Sequence, residues 1–284
     1  MAHKIIIFTD LDGTLLDHET YSYEAAKPAL ARVKETKTPI VSVTSKTKAE
    51  NGAILKQMGL WGTAPFVVEN GGAIYIPKKY FSFDIKKELP DEKIIDVDEF
   101  IKIELGKPYE EVRKVMKEAA EATDLEVQGI GDMTAEEFQR EVDFKTIEEA
   151  YRAKEREYQE GFKILNVPEE QIKETQAKIK AEIEKRGYFM SVGGRFCQIM
   201  GSKSKIRAVE ILTGLFKKEF GNIHTIGLGD AQADIEFCQH CNEGYIVKNP
   251  KKAVGAEAVS EKIYLIEEEG PAGWNQVVLR ALQN

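Results

Sequence analysis

Apolar runs and helical periodicity alternate over the first 68 residues. The continuous apolar run His3–Phe8 is typical of a strand that is buried on both faces of a sheet. Helical patterns over Tyr23–Thr36 and Thr47–Met58 are separated by a second strand pattern, Pro39–Thr44, and a third strand is predicted at Phe66–Val68. This βαβαβ alternation predicts a parallel sheet with right-handed crossovers.

The middle of the chain, residues 84–199, is less regular and richer in charge. Helices are predicted at Pro108–Thr123 and Pro168–Arg186, and strand-like segments lie near Tyr158–Leu165 and Tyr188–Val192. Because the strands and helices here do not alternate as they do at the start, we interpret this part as a separate α+β module.

The α/β alternation returns after Met200. It predicts helices at Lys203–Phe220, Ala231–His240 and Trp274–Leu282, and strands at Ile223–Gly227 and Gly244–Val247. The predicted fold class is therefore α/β. Residues 1–83 and 200–284 would form one parallel-sheet core, and residues 84–199 an inserted cap.

Composition and charge restrict the function classes. Lys and Arg number 40 and Asp and Glu 48 in 284 residues, a net charge of −8. An acidic chain is not typical of a general nucleic-acid binder, which needs a basic face. No apolar run approaches the roughly 20 residues of a membrane helix, and the N-terminus has no signal-peptide layout. We expect a cytoplasmic protein with no nucleic-acid or membrane partner, either a monomer or a homodimer.

Two carboxylates follow the first predicted strand, in the string Asp10-Leu11-Asp12-Gly13. Ligands of open α/β sheets bind outside the carboxyl ends of the strands. Asp10 is therefore a candidate nucleophile or metal ligand, and Asp12 a candidate proton donor and acceptor. Gly13 would permit the tight turn that returns the chain to the cleft. The alternative is a polar turn, in which Asp and Gly serve turn geometry only.

Four segments in order resemble the motifs of the haloacid-dehalogenase-like phosphatase superfamily. They are Asp10–Leu15, the hydroxyl of Thr44 after the second strand, Lys205 near the start of a helix, and the acidic segment Gly227–Asp234. The resemblance implies a Rossmann-like parallel-sheet core with an inserted C2-type cap.

The chain is further similar to mannosyl-3-phosphoglycerate phosphatases. The similar segments are Thr44–Glu50, Val68–Ala73, Arg156–Tyr158, Gly193–Phe196, Gly270-Pro271 and Gly273–Asn275. The chain departs from the family pattern in the cap, where Gln159-Glu160-Gly161 stands in place of Ser-Glu-Pro. It departs in the core at Ile206, where Gly is usual, and at Ala233, where Asn is usual.

The resemblance implies phosphoryl transfer to an aspartate. Asp10 would attack phosphorus and form an aspartyl-phosphate. Mg²⁺ would be held by Asp10, the backbone carbonyl of Asp12 and Asp230. The Asp12 side chain would protonate the leaving oxygen and then activate the water.

The resemblance also assigns phosphate-binding residues. Thr44 and Lys205 would bind phosphate oxygens, with Ser45 as an alternative hydroxyl and Lys203 as an alternative lysine. Asp234 would orient Lys205 or a water on the metal. Three plainer interpretations remain open. Thr44 could be a helix N-cap, Lys205 a solvated lysine, and Asp234 a surface residue on a first helical turn.

The cap is expected to select the substrate. Arginine binds carboxylates bidentately, and glutamate accepts hydrogen bonds from hydroxyls. The candidates are Arg156, Glu157, Tyr158, Glu160 and Arg195. The alternative is that the charged run Lys154–Glu157 is only a solvated helix end.

The predicted function is Mg²⁺-dependent hydrolysis of mannosyl-3-phosphoglycerate to mannosylglycerate and phosphate. The alternatives are a phosphatase for another phosphorylated sugar, such as glucosyl-3-phosphoglycerate, a phosphomutase, and a non-catalytic sugar-phosphate binder.

Overall fold

The computed structural model describes residues 3–193, 196–201, 205–251, 254 and 260–283. Its thirteen described strands are β1 Lys4–Thr9, β2 Ile40–Ser42, β3 Phe66–Val68, β4 Ala73–Pro77, β5 Lys93–Val97, β6 Phe100–Glu104, β7 Val127–Gly129, β8 Gln159–Ile164, β9 Phe189–Gly193, β10 Phe196–Met200, β11 Ile223–Gly229, β12 Glu243–Lys248 and β13 Ile263–Glu269. Its ten described α-helices are α1 Lys27–Thr36, α2 Lys48–Gln57, α3 Ile85–Glu88, α4 Tyr109–Ala122, α5 Ala135–Val142, α6 Ile147–Lys154, α7 Ile172–Lys185, α8 Lys205–Phe220, α9 Gln232–Cys238 and α10 Gly270–Ala281.

A five-stranded parallel sheet in the order β13-β12-β11-β1-β2 forms the core. β1 lies in its interior, and successive residues face opposite sides. Ile7 packs with α1 and α10, whereas Ile6 and Phe8 pack with α8 and α9. A strand covered on both faces needs a continuous apolar sequence, which is why β1 could be predicted.

The third predicted parallel strand, β3, is not a full member of this sheet. One isolated parallel bridge, Val43–Val67, links it to the chain beyond β2. β3 instead pairs antiparallel with β4. The short connection Glu69–Gly72 explains the antiparallel pairing of β3 with β4, because a parallel crossover needs a dozen or more residues.

The β5–β6 hairpin was not predicted. β6 pairs antiparallel with β4 and β5, which completes a four-stranded sheet in the order β3-β4-β6-β5. Its members run from Phe66 to Glu104, so this sheet continues past the predicted boundary at residue 84. The division into a core and a cap of residues 84–199 stays a prediction.

The second antiparallel sheet, in the order β7-β8-β10-β9, is called the cap sheet here. α4 and α7 cover one of its faces through a cluster that includes Phe162, Ile179 and Ile199. α5 and α6 pack near Phe196, on the opposite face. No helix in the described part of the chain is long and apolar enough to cross a membrane.

Candidate active site

The backbone at the end of β1 is held tightly. The N–H of Asp10 donates to the carbonyl of Leu228 in β11 at 2.8 Å. The Thr9 hydroxyl donates to the Asp10 carbonyl at 2.7 Å and accepts from the indole N–H of Trp274 at 3.1 Å. Trp274 is fully buried in α10, so the C-terminal helix supports the position of Asp10.

Three buried carboxylates meet at the ends of β1 and β11. Oxygen atoms of Asp10, Asp230 and Asp234 all lie within 4.8 Å of one another. Lys205 places its Nζ 3.4 Å from Asp10 and 2.9 Å from Asp234. The Lys205 side chain is only 12% exposed, so its interpretation as a solvated lysine is wrong. Lys203 lies outside the described residues.

Asp234 is fixed by backbone donors as well as by Lys205. It occupies the third position of α9, where its carboxylate accepts from the N–H groups of Asp230 and Ala231. The side chain is buried, so its interpretation as a surface residue is wrong. Gly229 allows this approach, because a Cβ there would overlap the Asp234 side chain.

Burial and crowding of like charges perturb the titration of this cluster. Burial, together with repulsion from Asp234, raises the pKa of Asp10 to about 8, although Lys205 opposes the shift. Burial acts to lower the pKa of Lys205, but Asp234 and Asp10 outweigh it and raise that pKa. Without a bound cation, ionisation of Asp10 is therefore unfavourable at neutral pH, even with Lys205 beside it.

The loop after β1 packs closely against this cluster of carboxylates. Gly13 has a φ of +85°, and a Cβ there would overlap the Asp230 carboxylate. The Asn249 amide donates to the same Asp230 carboxylate, and its Nδ2 also lies next to Gly13. Sequence reasoning missed Asn249, although its position just beyond β12, at the carboxyl end of a parallel strand, is where site residues are expected.

The residues present fit a hard divalent cation. Carboxylate and carbonyl oxygens are the donors that Mg²⁺ prefers, and the cluster supplies buried carboxylates with a net negative charge. Asp12 lies close enough to Asp10 to interact with it electrostatically, and a Cβ on the next residue, Gly13, would overlap Asp230.

The Asp12 side chain has a lysine partner that the sequence did not reveal. Lys46 Nζ lies 2.9 Å from Asp12 Oδ2 and 3.9 Å from a Glu50 oxygen. It also lies 5.2 Å from the centre of the Tyr21 ring. The Lys46 side chain is 12% exposed. The other oxygen of Asp12 is buried and accepts no hydrogen bond from the described residues.

Thr44 and Ser45 form the start of the loop after β2. The Thr44 hydroxyl accepts from the N–H of Lys46 at 3.2 Å, and the residue is 1% exposed. The N-cap of α2 is Thr47, which forms a capping box with Glu50. The alternative that Thr44 caps this helix is therefore wrong.

Two of the predicted cap residues contact the sheet that β3, β4, β6 and β5 form. Glu157 accepts from the Tyr75 hydroxyl at 2.9 Å and from Lys102 at 2.7 Å. The Tyr158 hydroxyl donates to Glu104 at 2.6 Å. These contacts tie the start of β8 to the β3–β6 sheet.

A buried core carboxylate strengthens this connection. Glu69, which is 2% exposed, accepts the backbone N–H groups of Glu157, Tyr158 and Gln159 at 2.8–3.0 Å. Burial raises the pKa of Glu69, although Arg156 and these donors oppose the shift. We call this arrangement the Glu69 clamp.

The other predicted cap residues have different surroundings. Glu160 is fully buried and accepts from Arg113 and from the Tyr109 hydroxyl. Arg156 lies close enough to interact with Glu69, and its Nε is buried with no partner among the described residues. Arg195 lies outside the part of the chain that the structure describes.

Known proteins resemble this chain over nearly its whole length. A family model described as haloacid dehalogenase-like hydrolase matches residues 7–261. The glucosyl-3-phosphoglycerate/mannosyl-3-phosphoglycerate phosphatase of Methanococcoides burtonii is 36% identical and covers 97% of this chain and 96% of its own. The protein of the same name from Persephonella marina is 37% identical, with coverages of 98% and 97%.

The solved structures agree on the fold. A Thermoplasma acidophilum protein of known structure matches with a TM-score of 0.61 at 18% identity, over 99% of both chains. The predicted α/β fold, with its parallel core sheet and its cap, is confirmed, and so is the predicted family resemblance. The chain belongs to the haloacid dehalogenase-like hydrolase family and, within it, to the mannosyl-3-phosphoglycerate phosphatases, which makes it a phosphoric monoester hydrolase.

Proposed function

We propose that the protein hydrolyses the phosphate ester of glucosyl-3-phosphoglycerate and mannosyl-3-phosphoglycerate, with Mg²⁺ and through an aspartyl-phosphate. The names of the two similar relatives include both sugars, and this motivates the choice of substrates. The observation that carries the chemistry is the buried cluster of Asp10, Asp230, Asp234 and Lys205, with Asp12 beside it.

Asp10 is the proposed nucleophile. Its backbone is fixed by β11 and by Thr9, so the carboxylate is presented in one place. A carboxylate attacks a phosphate dianion poorly unless cations first reduce the repulsion. Lys205, 3.4 Å from Asp10, supplies one positive charge where an equatorial phosphate oxygen would lie.

Asp10, Asp230 and the backbone carbonyl of Asp12 would hold the metal ion, as the resemblance implies. Bound there, Mg²⁺ would neutralise phosphate charge and orient the phosphoryl group. Asp234 would serve mainly to hold Lys205, since its oxygens already accept from Nζ and from two backbone N–H groups.

Asp12 is the proposed general acid and base. It is less buried than Asp10 and is oriented by Lys46, so it can face the leaving oxygen and later the attacking water. Acid–base help of this kind contributes about 10²–10⁴-fold. Thr44 and Ser45, at the neighbouring strand end, would bind the remaining phosphate oxygens.

The test is phosphate release from both glycosyl phosphoglycerates, with Mg²⁺ and after chelation with EDTA. We expect release only with Mg²⁺, and none from Asp10→Asn. Brief reaction followed by acid quenching and peptide mass analysis should find a phosphorylated peptide that contains Asp10.

Other outcomes would identify other functions. Transfer of phosphate from a sugar bisphosphate back to a sugar, without free phosphate, would indicate a phosphomutase. Binding of both substrates with no turnover, equal in the wild type and in Asp10→Asn, would indicate a non-catalytic binder. Release from other sugar phosphates alone would overturn the choice of substrate while keeping the reaction class.

A further inference from the structure

Three side-chain amides meet between the cap sheet and the loop after β2. Asn70 Nδ2 donates to Oε1 of Gln159 at 2.8 Å and to Oε1 of Gln198 at 3.3 Å. Gln159 Nε2 in turn donates to the carbonyl of Ser45 at 2.5 Å. We call these three residues the amide cluster, and none of the three was a predicted site residue.

The amide cluster is joined to the loop at two consecutive residues. The backbone N–H of Asn70 donates to the Thr44 carbonyl at 2.9 Å, and Gln159 holds the carbonyl of Ser45. The two carbonyls therefore face Asn70 and the cap. The positions of these two carbonyls, and with them the course of the loop backbone, are therefore set by groups outside the loop.

Gln159 is fixed on all sides. It is fully buried, its backbone N–H donates to the Glu69 clamp, and its side chain both donates and accepts. A buried amide that lost one of these partners would leave an unsatisfied polar group, which is costly. Gln159 therefore sets the position of the Ser45 carbonyl relative to the cap.

The side chain of Gln198 has different neighbours. In β10 it lies opposite Gly161 of β8, and because side chains alternate along a strand it shares a face with Gln159. Its neighbours Cys197 and Ile199 belong to the apolar cluster on the other face. Its Oε1 faces Asn70, and no described residue accepts a hydrogen bond from its Nε2.

We propose that Gln159 is a positioning residue that couples the cap to the phosphate-binding loop, and that Gln198 donates a hydrogen bond to the non-phosphate part of the substrate. The group recognised would be a hydroxyl or carboxylate oxygen, because a neutral amide N–H donates to both. The substrate assignment rests on the proposed function, whereas the coupling role of Gln159 applies to any phosphate ester.

Three isosteric substitutions separate these roles. Gln159→Glu keeps an acceptor for Asn70 but replaces the donor to Ser45 by an oxygen that repels the carbonyl. Gln198→Glu likewise keeps the acceptor and removes the free N–H₂. Gln128→Glu is the matched control, because Gln128 is a half-buried residue of β7 in the same sheet.

Each variant is assayed with mannosyl-3-phosphoglycerate and with p-nitrophenyl phosphate, which lacks the sugar and the glycerate. We expect Gln159→Glu to lower kcat for both substrates by about 5- to 100-fold, the range for an unsatisfied buried acceptor. We expect Gln198→Glu to raise KM about 5- to 10-fold for the sugar substrate only. Gln128→Glu should match the wild type with both.

Two results would overturn the proposal. One is unchanged kcat in Gln159→Glu with both substrates. The other is an equal effect of Gln198→Glu on both substrates. Should Gln159→Glu fail to fold, Asn70→Gly tests the same coupling, because it keeps the φ of +55° and the backbone donor while removing the side chain. We expect a fall in kcat there too, and an unchanged kcat would contradict the coupling.

The design keeps the two hypotheses apart. If the wild type releases no phosphate from either glycosyl phosphoglycerate but hydrolyses p-nitrophenyl phosphate, the proposed function fails. In that case the effect of Gln159→Glu on p-nitrophenyl phosphate still decides whether the cap is coupled to the loop.

Discussion

Removing the charge of Asp10 should abolish activity and also stabilise the metal-free protein. The Asp10 carboxylate lies within 4.8 Å of oxygens of both Asp230 and Asp234. With an effective dielectric constant of 20, each such repulsion costs at least about 3.5 kcal/mol. The attraction between Asp10 and Lys205, 3.4 Å apart, offsets about 5 kcal/mol on the same scale. The ionised Asp10 carboxylate therefore destabilises the metal-free folded state by about 2 kcal/mol.

At pH 8, where folded Asp10 begins to ionise, Asp10→Asn should therefore raise the melting temperature of the EDTA-treated protein by roughly 4 °C or more, since 1 kcal/mol shifts it by about 2–4 °C in chains of about 150–250 residues. The effect should depend on pH. The raised pKa of Asp10, about 8, means that the folded state holds a proton which the unfolded chain releases near pH 4. The penalty on the wild type therefore grows from pH 4 to pH 8, and the gap between variant and wild type should widen over that range.

The assay is differential scanning calorimetry of three proteins, with EDTA and with excess Mg²⁺. Asp12→Asn is the matched control, because Asp12 is partly exposed and paired with Lys46, so its substitution should not stabilise. Mg²⁺ should raise the melting temperature of the wild type more than that of Asp10→Asn. The reasoning is refuted if metal-free Asp10→Asn melts below the wild type, or if Asp12→Asn is stabilised equally.

Three further substitutions test other parts of the site. Lys46→Met should lower kcat about 10- to 100-fold in steady-state assays, because Asp12 loses a charge-assisted hydrogen bond of about 1.5–3 kcal/mol. Gly13→Ala should abolish Mg²⁺ binding in titration calorimetry, because its Cβ would overlap the Asp230 carboxylate. Glu69→Gln should speed hydrogen exchange of the three cap amides that it binds, and should lower the free energy of unfolding by about 1–3 kcal/mol.

Two of these substitutions have a control elsewhere in the chain. Lys48→Met is the control for Lys46→Met. Among the carboxylates of the described residues, Lys48 contacts only exposed Asp98, and a similar loss of kcat in this variant would contradict the role of Lys46. Gly62→Ala is the control for Gly13→Ala, because Gly62 also has a positive φ but a Cβ there would meet no atom within 4 Å. Loss of Mg²⁺ binding in that variant would mean that backbone strain, and not the collision, is responsible. Unchanged amide exchange in Glu69→Gln would contradict the clamp.

The parallel core could be predicted because its strands are buried on both faces. A continuous apolar run such as Ile5–Phe8 indicates a buried strand without any knowledge of the strands beside it, and Asp10 follows from the end of that strand. The roles of Asp230 and Asp234 were predicted only from the family resemblance. The distances among these carboxylates depend on how α8 and α9 pack, and the sequence does not provide them.

The β5–β6 hairpin escaped prediction for a physical reason. Lys102 and Glu104 are strand residues that look solvent-exposed in the sequence, yet Lys102 is 6% exposed and pairs with Glu104 at 2.9 Å and Glu157 at 2.7 Å. An ion pair between segments that are distant in the sequence is invisible to an analysis of apolar periodicity. The same holds for Lys46 and for the amide cluster, whose polar partners come from distant segments.

The Glu69 clamp has a consequence for how substrate preference can change. The clamp holds residues 157–159 by their main-chain N–H groups, which any amino acid except proline provides. Replacing Glu157 or Tyr158 would remove side-chain contacts such as that of Glu157 with Lys102, but it would leave the three main-chain hydrogen bonds to Glu69 in place. Substitutions that alter substrate preference in this segment would therefore keep this part of its attachment.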